Sequence, residues 1–136
     1  MAGLIGIANS KKDGLYPKYN VAQYLEMSTQ AYKISNTFKS GHFCLAYFHS
    51  HWWHCAAVGF IAVSANLNDK NRIIVNHYRL NDNDELNVYY TLSDNGFDLY
   101  ITAKYEVRLR AFIGSIDFAI TKVDLPEDAV PAEIIQ

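Results

Sequence analysis

The residues best equipped for chemistry crowd into one stretch, His42-Phe43-Cys44-Leu45-Ala46-Tyr47-Phe48-His49-Ser50-His51-Trp52-Trp53-His54-Cys55. It holds His42, His49, His51 and His54 together with both cysteines of the chain. Imidazole is the commonest protein ligand for transition metals, so metal binding is the first chemistry to weigh. Alternate side chains of an extended strand share a face, which would bring His49 and His51 within reach of one ion. Two histidines from each of three chains meeting there would complete an octahedral set on a trimer axis. The opposing reading is of partly buried histidines beside a Trp-rich turn, hydrogen-bonded to backbone. Trp52 and Trp53 are adjacent, and neighbours in a strand point to opposite faces. Either one ring is exposed or the turn is bulged. Exposed aromatic rings stack on sugars or plug into partner subunits. Trp52 and Trp53 are therefore the candidate binding residues, and His49 and His51 the candidate metal ligands.

The spacing of His49, His51 and His54 resembles the His-x-His-x-Asp-His run of metallo-β-lactamase-type hydrolases. The Asp position of that run holds Trp53, and no later His and Asp set would supply a second metal. No Cys-x-x-Cys pair supports a structural zinc. A Gly-rich phosphate loop, a Gly-x-Ser-x-Gly elbow and a paired-carboxylate signal are all missing from the sequence. Asp82, Asp84 and Glu85 share a turn that lacks the glycine and the length of an EF-hand loop, so it reads as a solvated turn. Arg108 and Arg110 fall on one strand face, which reads as a solvent face with cross-strand ion pairs. The chain is expected not to be an enzyme and to need no cofactor.

The elements that would carry these residues are mostly strands. A chain of 136 residues can bury one real core. A net charge of −2 offers no basic patch for a phosphate backbone, so nucleic acid is not an expected partner. No apolar run is long enough to span a bilayer, and membrane insertion is not expected. Met1–Ile7 lacks the basic start of a signal peptide. Two cysteines are too few for a disulfide framework, and free thiols point to a reducing compartment.

Residues 1–19 read as an extended lead-in, with a turn cluster from Asn9 to Gly14. A short helix is expected over 20–29: Asn20 is a candidate N-cap with Gln23 three residues on, and Val21, Tyr24, Leu25 and Ser28 recur at helical spacing. From about residue 30 the period is that of strands. His42–His49 and His54–Ala65 are apolar, the second nearly without interruption, as in a strand buried on both faces. Ile73, Val75 and His77 oppose Ile74, Asn76 and Tyr78. Leu86, Val88 and Tyr90 alternate with polar or tyrosine neighbours, as do Phe97, Leu99, Ile101 and Ala103, then Val107, Leu109 and Ala111. Asn95-Gly96 is a hairpin signal, Gly114-Ser115 a break, Ile116–Val123 a last strand, and the Pro-containing tail from Leu125 irregular. Turn signals every 8–12 residues or so suit a sandwich or barrel. The expected organisation is residues 1–29 as lead-in and helix for docking, and residues 30–136 as a mainly all-β, antiparallel, jelly-roll-like β-sandwich.

Ala8-Asn9-Ser10-Lys11-Lys12-Asp13-Gly14-Leu15 resembles the A-x-x-x-x-D-G-L lead-in of bacteriophage tail-fibre and receptor-binding proteins, with Tyr16 in place of the usual Met and Pro17-Lys18 keeping the ending. Asp98-Leu99-Tyr100-Ile101, within Gly96–Tyr105, is similar to a strand near the end of their heads, and Val123-Asp124-Leu125-Pro126 to their close. These motifs cover about a third of the chain, and each is short. The resemblance implies a trimeric β-sandwich head on a virion, assembled in the host bacterial cytoplasm. Residues 1–20 would dock to other virion proteins, and a host-surface glycan would be met by the head. The rival expectations are a monomeric carbohydrate-binding module and a capsid or tail decoration protein.

Overall fold

The computed structural model describes residues 23–36, 40–51, 54–66, 73–81, 85–93, 96–113 and 118–136. Within them the chain is all strand and connection. In order these are β1 (Gln23–Leu25), β2 (Ala31–Asn36), β3 (Ser40–His51), β4 (His54–Asn66), β5 (Ile74–Arg79), β6 (Leu86–Ser93), β7 (Gly96–Ala103), β8 (Glu106–Ile113), β9 (Phe118–Val123), β10 (Val130–Pro131) and β11 (Glu133–Ile135). Among the described residues they form a six-stranded sheet, β1-β8-β3-β4-β5-β11, and a five-stranded sheet, β10-β6-β7-β2-β9. No helix among them is long and apolar enough to cross a membrane.

Alternation builds the core. Phe43, Leu45 and Tyr47 on β3, Ile61 and Val63 on β4, and Val107 and Leu109 on β8 turn inward from the six-stranded sheet. Ile34 on β2, Leu86 and Val88 on β6, and Phe97, Leu99 and Ile101 on β7 meet them from the other. One apolar cluster thus joins both sheets, the arrangement of a sandwich. The long β3–β4 ladder runs from Ser40↔Asn66 to His51↔His54, with a bulge where His49 pairs with Ala57 and Ser50 with Cys55, so that Ala56 is the extra residue.

Three expectations are corrected. The helix over 20–29 is not formed where the chain is described. Residues 23–25 are instead β1, with Tyr24 exposed and Leu25 buried, held by pairing to Val107–Leu109 of β8. A two-turn helix has little stability of its own, and a ready sheet edge outcompetes it. The tail is not irregular: β10 pairs with β6 and β11 with β5, while Ala132 between them is buried and its N–H donates to the Val88 carbonyl at 2.9 Å. The tail therefore clasps the edges of both sheets. The sheets are not wholly antiparallel, because β11 runs parallel to β5.

The hairpin expected at Asn95-Gly96 exists with a different centre. β6 and β7 pair out to Ser93↔Gly96, so Gly96 opens β7 instead of sitting inside the turn. The lead-in at 1–20, Trp52 and Trp53, the acidic turn at Asp82 and Asp84, and the break at Gly114-Ser115 lie outside the described residues.

Candidate functional site

The histidine-rich stretch becomes β3 and the start of β4, and strand alternation divides it between two faces. His42 lies on the outer face, where its Nδ1 is 2.8 Å from Ser64 Oγ across the ladder. Cys44 is a free thiol on that same face, and burial pushes its pKa up. His49 points the other way and is fully buried. Its Nε2 accepts the backbone N–H of Tyr105 at 2.9 Å, and its ring stacks on the Tyr105 ring at 5.6 Å. Burial lowers its pKa, against a smaller opposing pull from Glu85. With Nε2 accepting, the neutral ring carries its proton on Nδ1. A metal at His49 would therefore have to take Nε2 from Tyr105. His51 closes the ladder by pairing with His54; its side chain, with those of His54 and Cys55, is outside the described set. Among the described residues no group of three or more His, Cys, Asp or Glu is placed to hold a metal ion.

A second polar group in the interior was not foreseen in the sequence as a unit. Tyr47 and His77 are both buried, and the Tyr47 hydroxyl lies 2.7 Å from His77 Nε2. Burial raises the Tyr47 pKa to about 12. Burial, then the nearby Arg79 charge, lowers that of His77 to about 4. Both groups are thus neutral across the physiological range and joined by one hydrogen bond. Gly59 makes room for the pair: a Cβ there would collide with the Tyr78 carbonyl oxygen and lie 2.6 Å from the Tyr47 hydroxyl. Arg79 Nη2 donates to Asn87 Oδ1 at 2.9 Å, tying β5 to β6. The signal for His77 was its place in the inward register beside Val75; its partner, 30 residues earlier in the chain, had none.

The outer faces of the two sheets differ in chemistry. The five-stranded sheet presents Lys33, Tyr89, Thr91, Asp98 and Thr102. Lys33 Nζ is 3.7 Å from Asp98, and Thr91 Oγ1 is 3.3 Å from the Tyr100 hydroxyl. The six-stranded sheet turns out Cys44, Ala46 and Phe48 from β3 and Val58, Phe60 and Ala62 from β4. These are half-buried or, for Phe48, exposed, and Ile74 and Tyr78 extend the face onto β5. Arg108 and Arg110 border it on β8, exposed, while Glu133 borders it on β11.

A groove of about 310 Å³ opens between β1 and the β2–β9 pair, lined by Tyr24, Glu26, Tyr32 and Lys122 among others. The Tyr32 hydroxyl donates to the Glu26 carbonyl, and Lys122 Nζ lies 6.0 Å from the Tyr32 ring centre. Lys122 shares the inward face of β9 with Ile120. An inward charge on an edge strand discourages edge-to-edge pairing, which accounts for Lys122 structurally.

No family model, no curated protein and no solved structure matches this chain.

Proposed function

We propose that this chain is a structural protein of a bacteriophage virion, a fibre or fibre-head domain that assembles as a homotrimer and takes part in attachment to the host surface. The observation that carries the reading is the contrast between the two outer faces. A sandwich in water is expected to be polar on both, yet the six-stranded sheet turns Ala46, Phe48, Val58, Phe60 and Ala62 outward. Side chains of that kind on central strands are accounted for by burial against further protein. The lead-in, Asp98–Ile101 and Val123–Pro126 motifs supply the viral part of the reading. Repeated crossing of the chain between sheets, from β2 to β3, β5 to β6, β7 to β8 and β8 to β9, supports the jelly-roll-like arrangement proposed for such a head.

The face also favours one second reading. Phe48, Phe60 and Tyr78 form a flat aromatic-bearing surface on which sugar rings would stack, as in a monomeric carbohydrate-binding module.

Antibody raised against the purified protein and applied to particles from the encoding phage separates these readings. Labelling at the tail extremity is expected. Labelling over the capsid would replace attachment with decoration. Protein found in the lysate but never on particles would overturn the virion assignment.

A further inference from the structure

We infer that the C-terminal tail is an acid-released strap over the seam between the two sheets, and that its opening is the local motion through which water and protons reach His77.

Position is the first argument. β10 pairs with β6 and β11 with β5, so the tail crosses from the edge of one sheet to the edge of the other. Ala132, between them, belongs to the buried core cluster and donates its N–H to the Val88 carbonyl. It therefore stops the seam on that side. His77 stands in register with Ile134 of the tail on one side and with Ile61 of β4 on the other. The strap is also the weakest of these neighbours. β10 is two residues long and β11 three, against thirteen for β4, and Val130 and Ile134 are exposed. Segments with so little apolar burial open at a lower free energy than the whole fold.

The surroundings of His77 supply the trigger. Tyr47 on β3 and Arg79 on its own strand are the polar groups that act on it. β4 and β11 set Ile61 and Ile134 beside it. The inward row of β6 adds Leu86, Val88 and the phenol of Tyr90, and β3 adds the imidazole of His49 two positions beyond Tyr47. Glu133 is exposed and in register with Asn76. Among the described residues no carboxylate thus acts on His77, and Arg79 repels a proton there. A buried charge without a counter-ion is relieved by hydration. Opening the strap exposes the seam beside the ring, so the opened state takes up a proton that the closed state refuses.

The test is amide hydrogen exchange of the full chain, followed by NMR at about pH 7.5 and about pH 4.5, with each rate divided by the intrinsic rate at that pH. The opening that frees the Ala132 amide is expected to become at least about tenfold more populated at the lower pH. The amides of β9, at the far edge of the five-stranded sheet, serve as the reference and should change much less. In the Tyr47→Phe/His77→Leu double variant the response at Ala132 should vanish. Ala132 protection that ignores pH would overturn the strap as the route to His77. So would an equal fall at Ala132 and β9, which is global unfolding, or a fall that persists in the double variant. Circular dichroism reports whether that variant folds. If it does not, Arg79→Gln decides: without that cation the closed state accepts the proton more readily, so the acid response at Ala132 should shrink, and an undiminished response would overturn the role of His77.

Discussion

Acid should destabilise the protein through His77 in particular. In the folded chain burial and Arg79 hold the ring neutral, with a pKa of about 4 against 6.5 when unfolded. Between those values the unfolded chain binds a proton that the folded chain refuses. The stabilisation is therefore complete above about pH 6.5 and is lost as pH falls towards 4. The separation corresponds to ~3 kcal/mol, of which ~2–3 kcal/mol should be gone at about pH 4.5. The control is the Tyr47→Phe/His77→Leu double variant. It removes both hydrogen-bonding partners together and leaves neither orphaned, so its cost at neutral pH should be small. Urea unfolding of both proteins, at fixed protein concentration because assembly shifts apparent stability, gives the difference directly. Wild type should lose ~2–3 kcal/mol more than the double variant between about pH 7.5 and pH 4.5. Parallel losses in the two proteins would refute the assignment of a buried, neutral His77, since titrating groups common to both cancel.

Three other substitutions probe the packing. Gly59→Ala drives a methyl into the Tyr78 carbonyl and the Tyr47 hydroxyl, and the urea midpoint should show a loss of about 3 kcal/mol. His49→Leu leaves the Tyr105 N–H without its acceptor; stability should fall by ~1–3 kcal/mol, and the Tyr105 amide should exchange faster while that of Leu109 holds. Lys33→Ala removes a half-exposed ion pair with Asp98, and thermal unfolding should register less than ~1 kcal/mol.

Much of the fold was legible because long strands carry their own period. The alternation of Leu86, Val88 and Tyr90, of Phe97, Leu99 and Ile101, and of Val107 and Leu109 is the inward register observed. What the sequence concealed lies in pieces too short to have a period. β1 is three residues long and reads equally well as a helical turn; β10 and β11 are two and three. Such strands exist because a neighbouring edge recruits them, and that edge is distant in sequence. The same limit applies to the chemistry. In the cluster around His49, adjacency in sequence hides the division made by the strand, which sends His42 outward and His49 inward, while the side chain of His51 lies outside the described residues. The Tyr47–His77 pair escaped notice because only the β3-β4-β5 order of the sheet brings it together. The nearly uninterrupted apolar character of 54–65 reads as burial on both faces, whereas the described residues bury only one, with Val58, Phe60 and Ala62 half-buried on the other. One of those faces is the core, and the other is the outer surface of the six-stranded sheet.

Native mass spectrometry of the purified protein at micromolar concentration, with and without chelator, counts the chains in the assembly. A dominant species at three times the 15.5 kDa chain mass, unchanged by chelator, is expected. A chain that stays at 15.5 kDa across the concentration range would contradict the trimer and favour the carbohydrate-binding module.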